Sequence, residues 1–387
     1  MPAGRRTRVL IVDDSAVMRS LLRSVVCADG SLEVAGTAAD GASALKSIEV
    51  LRPDLVLLDV EMPVMDGLVT LKELRARGLK MPVIMCSSLT QRGARVTIEA
   101  LAAGASDYVT KPAGQSSRET ATQSLAQELV PKILALVSGR EPQWSPRGAL
   151  PGLLRGLPAL LPSPRQRDRP ILANPAVLAI GVSTGGPAAL DVLLPALPAG
   201  FPLPVVIVQH MPELFTRLFA ERLNGRCQLR VREAAEGDAV CAGNVFIARG
   251  NWHMEVLAGA RAGARAGAPA KLHLSQGPLE NHCRPAVDTL FRSLAAVYGP
   301  GVLAVVMTGM GSDGMLGCRT IRDYGGSVLA QDQATSTVWG MPGAVANAGL
   351  AHNVLPLNEL APEILRIAGR APAAAAQVGE LLRLDVS

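Results

Sequence analysis

The chain has 387 residues, too many for one ordinary core, so two domains of roughly 100 to 200 residues each are expected. Hydrophobic residues make up 49% against 18% charged, which excludes a mostly disordered chain. The net charge of +5 invites a nucleic-acid reading, but residues 140–170 hold six arginines against Glu141 and Asp168, an excess of four, so most of the surplus sits in one stretch.

No apolar run reaches the length of about 18 residues that a bilayer span needs, and the run Val9 to Val12 stops at Asp13 and Asp14, so neither a signal peptide nor membrane insertion is expected. The six cysteines are dispersed, without a CxxC pair or a zinc-spaced cluster. A reducing cytoplasm and no structural metal follow as expectations.

From Thr7 to about Ser138, short β-branched runs alternate with amphipathic stretches. Strands are predicted at Arg8 to Val12, Leu32 to Ala38, Leu55 to Asp59, Val83 to Ser87 and Tyr108 to Thr110. Five such β/α units imply a doubly wound parallel sheet, whose functional groups collect at the carboxyl ends of the strands. Asp13 and Asp14 follow the first strand, Asp59 closes the third, Ser87 the fourth, and Lys111 follows the fifth. Three carboxylates on one edge repel one another unless a hard divalent cation sits among them, and Mg²⁺ suits that donor set. Taken alone, Asp14-Ser15 before an apolar periodic run reads equally as a helix cap.

This constellation resembles the response-regulator receiver, a flavodoxin-like domain. The marks are VDDS at 12–15, LLDVEMPVMDG at 57–67, CSS at 86–88 and YVTKP at 108–112. The resemblance implies Asp59 as phosphoacceptor, Asp13 and Asp14 as Mg²⁺ carboxylates, and the Glu61 backbone carbonyl as a further ligand. It implies Ser87 as the hydroxyl meeting the phosphoryl group, Lys111 as its counter-charge, Tyr108 as the aromatic switch, and a histidine kinase as phosphodonor.

Residues 139–172 are rich in Pro and Arg and read as a linker between a first domain, 1–138, and a second, 173–370. In the second half, strands are predicted at Val177 to Val182, Val205 to Gln209, Val245 to Ala248, Val302 to Thr308, Ser327 to Ala330 and Leu350 to Leu355. Helices are predicted at Gly186 to Ala196, Leu214 to Leu223, Ala286 to Val297, Met315 to Asp323 and Gly340 to Asn347. A second α/β domain with a mostly parallel sheet follows. Gly259 to Ala268 reads as a long hairpin loop between Met254 to Leu257 and Lys271 to Leu274, and 371–387 as a short tail.

The first strand of this half runs into GVSTGGP at 181–187 and then a helix. Such a corner either cradles a phosphate on backbone amides or presents Ser183 as a nucleophile. The phosphate loop lacks the Walker lysine and the GxGxxG spacing. A nucleophilic serine needs a base and an orienting acid; His210 ends the second strand, and Asp313 lies in the glycine-rich turn after a later one. No basic recognition segment of helix-turn-helix size is found, which weighs against a DNA-binding output.

GVSTGGP, QHMP at 209–212, the RP-x-VD-x-LF segment at 284–291 and MTGMGSDG at 307–314 resemble the catalytic domain of the CheB family, the chemotaxis protein-glutamate methylesterases. The resemblance implies Ser183 as nucleophile, His210 as general base and Asp313 as orienting acid. It further implies oxyanion donors among Thr184, Gly185, Met310 and Gly311, and Arg284 as a substrate contact. The implied reaction is hydrolysis of glutamate γ-methyl esters, and deamidation of glutamines, on methyl-accepting chemoreceptors during sensory adaptation. Phosphorylation is expected to activate it, by releasing a receiver that covers the catalytic cleft. Two residues depart from the family pattern: Val182 replaces the usual alanine, and Cys283 stands where histidine is common.

Overall fold

β-Branched runs buried on both sides become the strands of two separate parallel sheets. The computed structural model describes residues 5–112, 117–137, 174–259 and 269–369. The expected linker, the tail and nearly all of the Gly259 to Ala268 loop lie outside the described residues. The chain divides into two units, residues 1–169 and 170–387.

In the first unit the order is β1 (Thr7–Val12), α1 (Ala16–Ala28), β2 (Leu32–Ala38), α2 (Gly41–Leu51), β3 (Leu55–Asp59), α3 (Gly67–Ala76), β4 (Val83–Ser87), α4 (Gln91–Ala102), β5 (Asp107–Thr110) and α5 (Arg118–Val137). The five strands pair in parallel in the order β2-β1-β3-β4-β5. β3 and β4 are buried throughout, as strands covered on both faces must be. Four helices start on a polar cap: Ser15, Asp40, Asp66 and Thr90 accept the amides of Met18, Ser43, Val69 and Gly93. Ser15 rather than Asp14 is thus the cap of α1, which leaves the exposed Asp14 carboxylate for other work.

The second unit runs β6 (Val177–Val182), α6 (Gly186–Leu193), β7 (Val205–Gln209), α7 (Glu213–Asn224), β8 (Arg230–Glu233), β9 (Asn244–Ile247), β10 (His253–Leu257), β11 (Lys271–Ser275), α8 (Val287–Tyr298), β12 (Val302–Val306), α9 (Met315–Asp323), β13 (Ser327–Gln331), α10 (Met341–Asn347), β14 (Asn353–Leu355) and α11 (Leu357–Ala368). A seven-stranded sheet takes the order β14-β13-β12-β6-β7-β9-β8, all pairs parallel. β10 and β11 form the expected antiparallel hairpin, His253 opposite Ser275.

Neither β8 nor α11 is predicted from the sequence, β12 stops two residues short of Thr308, and β14 begins at Asn353 rather than Leu350. α6 ends at Leu193, and a 3-10 turn, Leu194–Ala196, completes the predicted helix. The core of this unit gathers Val177, Phe246, Phe291, Val306 and Val328 between the sheet and helices α8 to α10, each fully buried. The order in which strands are added to the sheet reverses at β6, which lies between β12 and β7, and open α/β sheets bind ligands at such a switch point.

Candidate active site

At the carboxyl edge of the first sheet, Asp13 follows β1 and Asp59 ends β3, both buried. Oxygens of Asp13, Asp14 and Asp59 lie within 4.8 Å of one another. Lys111 Nζ stands 2.8 Å from Asp13 Oδ2 and 2.7 Å from Asp59 Oδ1. One ammonium against three carboxylates leaves the cluster net negative. Burial pushes the Asp59 carboxyl up to about 6; the Lys111 hydrogen bond opposes this, and the charge of Asp13 adds to it. An all-oxygen anionic donor set of this size fits a hard divalent cation such as Mg²⁺. The adjoining cleft is lined by Asp14, Asp59, Val60, Glu61, Ser88 and Lys111.

Ser87 is the last residue of β4. It is fully buried, its hydroxyl donates to the Ser88 carbonyl at 3.2 Å, and Ser88 is the serine that lines the cleft. β4 extends through Ser87, so the sheet encloses its side chain. Tyr108 is buried too, with Lys132 Nζ 5.1 Å from its ring centroid and donating to its carbonyl at 2.6 Å.

In the second unit three neighbouring strand ends carry the predicted site. Ser183 directly follows β6; its amide donates to Thr308 O at 3.0 Å and its carbonyl accepts from Gly186 N at 2.8 Å. His210 follows β7, its amide donating to Val182 O at 3.2 Å. Asp313 lies in the loop after β12. The loops approach closely because glycine permits it: a Cβ on Gly309 would stand 2.9 Å from Ser183 Cβ. Gly185, at φ +78°, opens α6 where a side chain would strike Thr337.

His210 Nε2 and Asp313 Oδ2 are 2.8 Å apart. Burial opposes charge on the imidazole, but the hydrogen bond to Asp313 and the contact with Cys283 outweigh it and raise the pKa to about 10. Burial would likewise raise Asp313, yet the His210 bond and the Val287 and Asp288 amides hold it below the usual carboxylate range. Each group favours the charged form of the other. With Nε2 engaged by Asp313, Nδ1 faces Cys283 Sγ at 3.8 Å. Among the described residues no hydrogen bond joins Ser183 Oγ to His210, and catalytic hydrogen bonds often tighten only with substrate bound.

Sequence reasoning missed Gln209. Its buried side-chain amide donates to the carbonyls of Ser183 at 3.0 Å and His210 at 3.2 Å, tying the two segments together. Its signal was a polar residue closing an apolar strand. Of the oxyanion candidates, Met310 and Gly311 lie exposed in the loop beside Ser183, and Thr184 and Gly185 are buried. Arg284, the expected substrate contact, is partly exposed and already hydrogen-bonded. Its guanidinium is spent on Asn251 Oδ1 and on the carbonyls of Gln276 at 2.9 Å and Gly277 at 2.7 Å, bracing the chain before α8.

Fold and site together define a two-unit α/β protein in which an acidic cluster at one sheet edge precedes a second sheet edge carrying Ser183, His210 and Asp313. Residues 9–122 match the response regulator receiver domain family, and residues 178–364 match CheB methylesterase. A protein-glutamate methylesterase/protein-glutamine glutaminase of Nocardioides sp. is 50% identical over 359 residues, covering 93% of this chain and 94% of that one. Its counterpart in Trichodesmium erythraeum is 46% identical over 363 residues, covering 94% and 99%. A crystal structure of the Thermotoga maritima CheB methylesterase catalytic domain is 38% identical with a TM-score of 0.47, covering 50% of this chain and all of that one. The chain belongs to the CheB family of protein-glutamate methylesterases/protein-glutamine glutaminases. No helix among the described residues is long and apolar enough to cross a membrane.

Proposed function

We propose that this chain demethylates glutamate γ-methyl esters, and deamidates glutamines, on methyl-accepting chemoreceptors in the cytoplasm, giving sensory adaptation under control of its receiver. The observation that carries the reading is the His210–Asp313 pair, 2.8 Å apart, at strand ends flanking Ser183. Ser183 Oγ attacks the ester carbonyl while His210 Nδ1 takes its proton. The oxyanion is met by amides from Thr184 to Gly185 and Met310 to Gly311. His210 returns the proton to the departing methoxide, and methanol leaves. A water, deprotonated by His210, then hydrolyses the glutamyl ester of Ser183 and frees the glutamate. With a glutamine substrate the leaving group is ammonia. Asp313 holds the imidazole with Nδ1 toward the serine and stabilises its cation.

In the receiver, spanning residues 1–138, Asp13, Asp14, Asp59 and the Glu61 carbonyl would hold Mg²⁺, whose charge would offset that of a phosphoryl group. Asp59 accepts that group from a histidine kinase, Lys111 faces its charge, and Tyr108 carries the change outward. The methylesterase domain, 173–370, is restrained by the unphosphorylated receiver through the 139–172 linker. Methanol release from methylated receptor membranes tests the reaction directly. A folded chain beginning at Ala173 should release methanol faster than the unphosphorylated whole protein, and equal rates would refute restraint by the receiver.

A further inference from the structure

The segment before α8 contains a charged arrangement that the reaction above does not use. Asp288, in the first turn of α8, is buried beside Asp313. Its Oδ1 accepts from Gly317 N at 2.6 Å. Its Oδ2 and Asp313 Oδ1 share one donor group, the Asn281 side-chain amide, at 2.9 Å each. An NH₂ group has two hydrogens, so it can serve both carboxylates at once.

The backbone explains why asparagine stands there. Glu280 and Cys283 exchange both backbone hydrogen bonds, at 3.1 and 2.8 Å, around Asn281 at φ +52° and His282 at φ +61°. Two left-handed central residues make a tight hairpin turn of the mirror-image type, which favours asparagine. Glu280 fastens the turn to α8, accepting from both terminal nitrogens of Arg292 at 2.6 Å and from Thr289 Oγ1 at 2.8 Å. Asn281 is itself exposed, yet its amide reaches inward to two buried acids.

Asp313 also accepts from His210, Val287 N, Asp288 N and Gly314 N. The titratable and charged groups around the two acids are His210 beyond β7, Glu280 and Cys283 on the turn, Arg292 on α8 and Cys318 on α9. None stands between Asp313 and Asp288 as Asn281 does.

We propose that Asn281 is a positioning residue for hydrolysis: by bridging Asp313 and Asp288 it lets both stay ionised and keeps Asp313 aimed at His210. The proposal rests on the reading of Asp313 as the orienting acid. Without the bridge, two buried carboxylates face each other and relieve their repulsion by sharing a proton. Asp313 then loses charge, and with it the hold on the imidazolium.

The test is kcat, KM and their pH dependence for the full-length, phosphodonor-treated protein, with the His210 imidazole titrated by NMR. Asn281→Ala should lower kcat about tenfold with KM within about twofold, and move the His210 titration and the rising limb of the rate to lower pH. Asn281→Asp, which suits the same turn, should lower kcat as well and secures the readout if the alanine variant folds poorly. Adding Asp288→Asn to Asn281→Ala should restore both kcat and titration, because the repelling charge is gone. An unchanged rate and titration in both single variants would overturn the proposal, as would a loss that Asp288→Asn leaves unrepaired and that shifts no titration. Asp313→Asn is measured alongside. If it keeps the wild-type rate, the triad reading has failed; if it is inactive while Asn281→Ala is normal, this inference alone has failed.

Discussion

The two halves of this chain place acidic groups at the same architectural position, the carboxyl edge of a parallel sheet, and treat them oppositely. In the receiver, Asp13, Asp14 and Asp59 crowd together with a single ammonium, and Asp59 is pushed up towards neutrality. In the esterase, Asp313 is saturated by amide donors at the start of α8 and held down. One edge is built to take in further cationic charge. The other is already compensated and is built to hold a proton on a neighbour. Strand topology therefore chooses where chemistry happens, and local donors choose which kind.

The sharpest way to break this contrast is at Ser183. Ser183→Ala should cut methanol release on the order of a thousandfold or more while leaving Asp59 phosphorylation intact; a surviving esterase rate would remove the serine from its assigned role. Adding His210→Gln should cost little further, since the residues act as a unit.

Next comes the proton on His210. Its raised pKa predicts that kcat/KM keeps climbing above pH 7 as the base is freed, and that Asp313→Asn lowers kcat on the order of a hundredfold or more and moves the limb to lower pH. The same pair contributes stability that is fully present below the usual imidazole value of 6.5 and fades as pH rises towards about 10. Melting temperatures of wild type and Asp313→Asn should therefore converge over that window, and parallel curves would contradict the ion pair.

The receiver edge offers a smaller effect. Chelating Mg²⁺, or making Asp59→Asn, should abolish activation by a small phosphodonor yet leave the basal esterase rate unchanged. Smallest of all is the choice between two serines. If the cleft-facing residue meets the phosphoryl group, Ser88→Ala should slow receiver phosphorylation a few-fold more than Ser87→Ala, and the reverse ranking would return the role to Ser87.

Both sheets were legible because buried parallel strands are short apolar runs, and because the charged residues closing them stand out. Asp59, Lys111 and His210 were singled out in this way. β8 was not, since its sequence RVRE buries only Val231 and carries no alternation. α11 was obscured by Pro362, although Leu360, Ile364 and Ile367 do repeat at helical spacing. Asn281 and Asp288 meet Asp313 from other parts of the chain, and no local pattern announces a contact across 32 or 25 residues. Arg284 came from the family resemblance alone, and its bonds to Asn251 and to the carbonyls of Gln276 and Gly277 join segments that no local pattern connects.

Gln209 carries a mechanical consequence. One amide grips the main chain on both the serine and histidine sides, so the two segments form a single plate. Their relative register is then held by one side chain as well as by the pairing of β6 with β7. If Ser183 and His210 act together as proposed, Gln209→Ala should lower kcat more than it raises KM, and a change in KM alone would count against that link.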